Sequence, residues 1–411
     1  MKACWKTGAA SRLAGLLFPA GAVLLFTLLA LFAGDAADAA RDGLELSLRV
    51  AVPALFPFFV AGALLTGSGL VDSLGRTLTK PMHALYGLGG NGAVALVLGL
   101  TGGYPVGAQT VCDLYRTRAI SRTEAERLIG FCNNTGPAFI ISFAGVAVCG
   151  STRAGVCLYL IHVLAALITG IAMTPAPGSA PLPPRAAAHK PAQNPAAVFL
   201  NAVRESFMTC LTITAFITFF SVLLALLRRT GLLALISAAG APVLSALGFP
   251  PGAADAAAAG TLELTNGLAL LPTLGLNSLQ MLPLAAFLLG FGGLSVHCQT
   301  LSILQQAGLS ARRHFVGKLL HGAVSAALAV IWCRVAPLTV PVFASGGQPA
   351  AAPVASLLGY GVLAAIVFAI VTRSGGKNAA FRYHPRPKKA RKNARKNASA
   401  PVPSKPLDKT L

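Results

Sequence analysis

Apolar runs long enough to cross a bilayer recur along the chain, and the polar residues between them fall in short clusters. A crossing helix needs about 20 mostly apolar residues. Runs of that kind occupy Leu13–Phe32, 50–71, 121–148, 153–173, a stretch beginning at 199, 279–306, 315–336 and 353–372. The pattern predicts an all-α polytopic membrane protein with eight crossings. Lys2, Lys6 and Arg12 precede the first run, and the small residues Ala33-Gly-Asp-Ala36 follow it. The run is long for the apolar part of a signal peptide, so it reads as an uncleaved span, with a cleaved signal as the alternative.

Four places interrupt the apolar pattern from within. Thr101-Gly-Gly-Tyr-Pro-Val-Gly107 ends an apolar helix that reaches only half the bilayer thickness. Glycine frees the backbone there, and Pro105 removes a donor and disfavours helix at Tyr104. A short return helix to the charged segment 113–127 completes a predicted re-entrant hairpin. Gly260-Thr-Leu-Glu-Leu-Thr-Asn-Gly267 is the expected tip of a second one. Phe131-Cys-Asn-Asn-Thr-Gly-Pro137 and Phe291-Gly-Gly-Leu-Ser-Val-His297 break two long helices, expected at 121–148 and 279–306. Ser121-Arg-Thr-Glu124 is a capping-box pattern that opens the first of them. Irregular backbone at membrane depth is tolerated only inside protein or beside a watery cavity. The four interruptions are therefore expected to meet around one site.

The second half repeats the first. At an offset of 161, Phe58-Phe59, Pro81, Gly87 and Gly99 meet Phe219-Phe220, Pro242, Gly248 and Gly260. Gly130-Phe131 meets Gly290-Phe291 at 160, and Arg153 and His162 meet Arg312 and His321 at 159. Each repeat then has three crossings and one hairpin, and this odd parity inverts the second repeat relative to the first. With both termini cytoplasmic, the inward segments 72–91, 113–127, 174–198, 310–314 and the tail are all net basic, and Arg228-Arg229 is the exception. The expected organisation is an N-terminal helix and external segment (1–44), repeat 1 (45–173), a cytoplasmic linker (174–198), repeat 2 (199–336), a loop and C-terminal helix (337–372) and a basic, disordered cytoplasmic tail (373–411).

Composition agrees with a membrane protein: 55% of residues are hydrophobic, 11% are charged and the mean hydropathy is +0.69. The net charge of +21 is concentrated in residues 373–411, which hold twelve Lys/Arg and one Asp. A positive-inside anchor on the lipid bilayer explains that better than nucleic-acid binding. The eight cysteines show no metal-ligand spacing and read as buried thiols, so no metal or cofactor is expected.

Glu263 stands out, because an acid in an apolar hairpin costs about 2.5–3.5 kcal/mol to insert at membrane depth. It could accept hydrogen bonds from a solute, ligate Na⁺, carry a proton, or only cap the short helix that follows it. The predicted substrate-binding set is Gly102, Gly103, Tyr104 and Gln109 in the first hairpin, and Asn133, Asn134 and Thr135 in the first break. Glu263, Thr265 and Asn266 join it from the second hairpin, and Gly293, Ser295, His297 and Gln299 from the second break. Asn133-Asn-Thr135 also matches a glycosylation sequon, which an intramembrane position argues against. His297 could titrate with a transported proton or hold an interhelical bond. His162 and His321 read as structural. Ser295 and His297 are two apart on one helix and do not face each other, so they form no nucleophile–base pair. No metalloprotease, phosphate-loop or nucleotide motif is present, which argues against an enzyme.

Gly102-Gly-Tyr-Pro-Val-Gly-Ala108, Glu124-Ala-Glu-Arg-Leu128, Phe131-Cys-Asn-Asn-Thr135, Glu263-Leu-Thr-Asn-Gly267 and Gly292-Gly-Leu-Ser-Val-His-Cys-Gln299 together resemble the nucleoside-recognition (Gate) domain membrane proteins. Within them the chain looks most like the YlbJ-type sporulation integral membrane protein branch, over about 45–335. The resemblance implies a fold similar to the concentrative nucleoside transporters, built of two inverted repeats. It implies that Glu263 holds ligand and that Ser295 is a polar contact. Where such transporters carry Gln/Asn-Thr-Glu for the nucleobase, this first hairpin carries Gly-Gly-Tyr-Pro, so those base contacts do not transfer. The sporulation branch is linked to moving dipicolinate across a forespore membrane. For such an anion, Glu263 would serve a coupling Na⁺ or H⁺. The expected function is transport of a small polar or anionic solute in a multi-pass cell-membrane protein, with a homo-oligomer left open. A non-transporting scaffold of the spore envelope is the alternative.

Overall fold

A computed structural model of the protein describes residues 9–67, 77–173 and 194–335. The expected crossing at 353–372, the tail 373–411 and most of the linker 174–198 lie outside the described residues. Every regular element among the described residues is helical.

The chain opens with α1 (Ala9–Leu31) and α2 (Ala33–Leu46), bent by 97° at Phe32. The external segment expected after the first helix, within 1–44, is therefore helical. Ala36, Gly43 and Ser47 form a small-residue stripe that is buried while Asp35, Asp38 and Asp42 face outward. A Cβ on Gly43 would meet the Ser221 hydroxyl at 2.7 Å, so this stripe lets the two backbones approach closely.

Two matching series follow. The first is α3 (Val52–Gly67), the short α4 (Thr79–Tyr86), the hairpin α5 (Asn91–Gly102) and α6 (Val106–Arg116), the broken helix α7 (Arg122–Leu128) and α8 (Ala138–Val148), and α9 (Thr152–Ala172). The second is α10 (Pro195–Arg229), α11 (Leu232–Ala246), the hairpin α12 (Gly252–Leu262) and α13 (Leu264–Leu270), the broken helix α14 (Ser278–Phe291) and α15 (Gly293–Gln306), and α16 (Arg312–Val335). Both series run helix, helix, hairpin, broken helix, long helix, as the repeat pattern requires. Helix α10 starts at Pro195 behind an Asn194 cap, inside the stretch expected to be linker.

The capping box at Ser121 and Glu124 forms, with Glu124 N–H donating to Ser121 Oγ at 3.2 Å and Ser121 N–H to the Glu124 carboxylate at 2.9 Å. Eight crossings were expected. Four helical stretches among the described residues are long and apolar enough to cross: α9, α10, α14 with α15, and α16. Bent pairs α1–α2 and α4–α5 raise the number to six. One of the eight, at 353–372, lies outside the described residues, and the rest of the difference has local causes. Helix α3 has 16 residues, and the first broken helix divides into pieces of 7 and 11 residues around its break.

Candidate functional site

The first hairpin turns at Gly103, whose φ of +73° suits glycine, and the following Tyr104–Pro105 peptide is cis. A Cβ at Gly103 would lie 2.7 Å from the Gly136 nitrogen, so this tip rests directly on the first helix break. The second hairpin turns at Glu263, which leaves α12 in extended geometry and caps α13. One carboxylate oxygen accepts from Asn266 N–H at 2.7 Å and Asn266 Nδ2 at 3.0 Å, and the other accepts from the Thr265 hydroxyl at 3.2 Å. The carboxylate is both cap and lining, for Glu263 is only 2% exposed and faces a cavity. The second break is made by Gly292 and Gly293, with φ of +93° and +73°. A Cβ on Gly292 would come 2.6 Å from the Tyr104 hydroxyl, and one on Gly293 would come 3.0 Å from the Leu264 nitrogen. Glycine is thus needed twice over, for conformation and for close approach.

All four interruptions border one cavity of about 60 Å³. Its polar side carries Tyr104, Thr135, Glu263, Thr265, Ser295 and Gln299, with the Gly102–Gly103 backbone. Its other side is Leu55 and Phe59 of α3 with Ile213, Phe216 and Ile217 of α10. Among the described residues, the Ser295 hydroxyl and the Gln299 amide spend nothing on a protein partner, although Ser295 is 2% and Gln299 8% exposed. Both line the cavity, so beside the Glu263 carboxyl they form a surface that can bind hydrogen-bonding ligands. Among the described residues, no group of three His, Cys, Asp or Glu is placed to hold a metal ion.

The other predicted residues lie elsewhere. Gln109 is exposed and donates to Asp113 at 3.0 Å, because α6 turns that position outward. Asn133 is buried one layer behind the cavity. Its Oδ1 accepts from Ala108 N–H at 3.1 Å, capping α6 from another segment, and its Nδ2 donates to Thr300 Oγ1 at 2.9 Å. Asn134 Nδ2 donates to the Phe131 carbonyl at 2.9 Å. Asn266 bridges Glu263 and the Ser221 hydroxyl, the latter at 2.9 Å. His297 Nδ1 pairs with His314 Nε2 at 3.0 Å, and its ring stands edge-on to Phe291. Asn133→Ala strands the Ala108 N–H in the interior. It is expected to destabilise the fold by about 2 kcal/mol, read as a lower Tm than that of Asn134→Ala, which loses only a local bond. Equal Tm values for the two variants would show that the long-range cap carries no weight.

The sequence reading passed over Lys318. This lysine is fully buried in α16, with Nζ 3.1 Å from the Asn133 carbonyl, 3.1 Å from His321 Nδ1 and 5.2 Å from the centre of the Tyr104 ring. A cation inside the run 315–336 was the signal for it. The repeat-equivalent His162 and His321 touch, ring centres 4.3 Å apart. Thr135 N–H donates to His162 Nε2, and His321 Nε2–H donates to the His162 carbonyl. Thr135 Oγ1 also donates to the Leu289 carbonyl at 2.9 Å, a further bond between the repeats.

Residues 48–176 match the Gate family model, described as nucleoside recognition. That stretch is the first repeat. The sporulation integral membrane protein YlbJ of Bacillus subtilis (strain 168) is 29% identical over 315 residues, covering 72% of this chain and 76% of its own length. Among solved structures, a variant of the concentrative nucleoside transporter CNTnw in an outward-facing state aligns over 81% of this chain and 88% of its own, with a TM-score of 0.54 and 14% identity. That likeness is one of fold. The chain is an integral membrane protein whose residues 48–176 are similar to the Gate family, and the relatives it resembles are membrane proteins rather than enzymes.

Proposed function

We propose that the protein is a transporter that carries a small polar solute through the membrane. One observation carries the reading: two hairpin tips and two helix breaks meet at a single cavity where Glu263, Ser295 and Gln299 present hydrogen-bonding groups. Broken helices buried in protein are the common way membrane transporters bring backbone and polar side chains to the midplane. A cavity of about 60 Å³ holds a few waters. A solute the size of a nucleoside or of dipicolinate therefore enters through a more open state. The aromatic and branched wall suits a flat ring, and the polar side suits hydroxyl or amide groups. The similarity to a sporulation protein supports a developmental membrane, with the forespore outer membrane as the candidate location, and the net-basic connecting segments support both termini in the cytoplasm.

Purified protein in liposomes is expected to take up labelled uridine or labelled dipicolinate about tenfold faster than empty liposomes, a difference of 1.4 kcal/mol in barrier. Uptake of neither, by a well-folded preparation, would remove the transport reading and leave the scaffold of the spore envelope.

A further inference from the structure

We infer that Lys318 is a built-in cation, whose ammonium fills a place between the first helix break and α16 that would otherwise take a free monovalent cation. The Asn133 carbonyl lies in the unwound stretch just beyond α7, where backbone carbonyls have lost their helical partners. Unwound carbonyls and half-helix C-terminal ends are where broken-helix transporters hold coupling cations. Here that carbonyl accepts from Lys318 Nζ at 3.1 Å. The other neighbours of Nζ are a ring nitrogen of His321 and the face of Tyr104. All three are neutral groups with their negative ends turned toward the nitrogen, as in the coordination of an alkali ion.

Among the described residues no ion pair reaches Lys318. The titratable groups within its electrostatic reach are His162 of α9, His297 of α15, and His314 and His321 of its own helix. A lysine kept for ion pairing would have a carboxylate beside it. This one has the surroundings of a bound cation instead.

The assembly also reaches the cavity. Tyr104, which covers Nζ, lines it, and Asn133 is two residues from the lining Thr135. The tethered ammonium therefore holds the first break and first hairpin in register without an ion from solution.

The test needs no solute, so it stands apart from the transport reading. Thermal unfolding of the purified protein is compared in sodium chloride and choline chloride at equal ionic strength. The wild type is expected to show the same Tm in both. Lys318→Ala is expected to unfold earlier and to regain about 3 °C or more in propylammonium chloride, which restores the deleted atoms. Lys318→Met, similar in length and uncharged, is expected to stay low in every salt. Sodium stabilisation of the wild type, a Lys318→Ala protein indifferent to propylammonium, or a Lys318→Met protein as stable as the wild type would each overturn the inference. If neither variant folds, the wild-type salt comparison decides.

Discussion

Gly99→Ala is expected to abolish most of the folded protein. A methyl group there would collide with the Cys132 carbonyl oxygen, and the α-carbon of Gly107 stands 3.2 Å away on the other arm. None of these atoms belongs to a side chain that could rotate aside. Overpacking a core costs about 1–3 kcal/mol when neighbours can adjust, and an immovable backbone puts this case at or above that range. Marginal stability then leaves little folded material. The first hairpin packs on the first break at this point, so the loss is of the site as well as of the fold. Gly240→Ala is the control, since nothing lies within 4 Å of its added methyl and alanine is the better helix former. Size-exclusion profiles in detergent should show Gly240→Ala at wild-type yield and Gly99→Ala nearly absent. A monodisperse Gly99→Ala peak with wild-type Tm would show that the hairpin does not sit against this carbonyl.

Glu263→Gln is expected to cut solute uptake at least tenfold while the protein remains folded. The carboxyl group accepts three hydrogen bonds from Thr265 and Asn266 and forms the acidic part of the cavity lining. An amide of the same size keeps one acceptor and points its NH₂ group at the remaining donors. Hydrogen bonds to charged groups are worth about 1.5–3 kcal/mol, or roughly 10- to 150-fold in affinity. Weakening the α13 cap costs about 1 kcal/mol in addition. A companion change, Ser295→Ala, separates binding from folding. It removes a hydroxyl that makes no bond to protein among the described residues, so uptake should fall with Tm unchanged. Wild-type uptake by both variants would mean that solute passes elsewhere.

The hairpins and breaks were legible because each needs residues that helices avoid. Gly103 and Pro105 stop α5, Gly292 and Gly293 divide α14 from α15, and each leaves a mark on an apolar background. Glu263 was legible for the same reason, as one charge in an uncharged stretch. Lys318 follows that rule too, but Arg312, Arg313 and His314 stand just before it and make it resemble part of a helix-end cluster. Side-chain direction was not legible. Gln109 and Asn133 are both amides beside an interruption, yet helix rotation carries one to the surface and the other to the interior. Asn133 pairs with Thr300, 167 residues away, and Lys318 with Asn133, 185 residues away, and local pattern holds no record of such pairings. Acidic residues also disguised α2, whose contact with α10 depends on alanine, glycine and serine rather than on large apolar groups.

The two sides of the cavity differ in a way that bears on movement. Bonds through Asn133, Thr135, Lys318 and His321 stitch the first hairpin, the breaks, α9 and α16 into one block, and the second hairpin packs on it at Gly293. Toward that block α3 and α10 present grease, and among the described residues one hydrogen bond joins it to them, from Asn266 to Ser221. Sliding along such a seam breaks almost nothing that must be remade, whereas parting the block would sever many polar links at once. Any shear that admits cargo therefore has its slip plane along α3 and α10, with the cargo's polar contacts riding on the moving side.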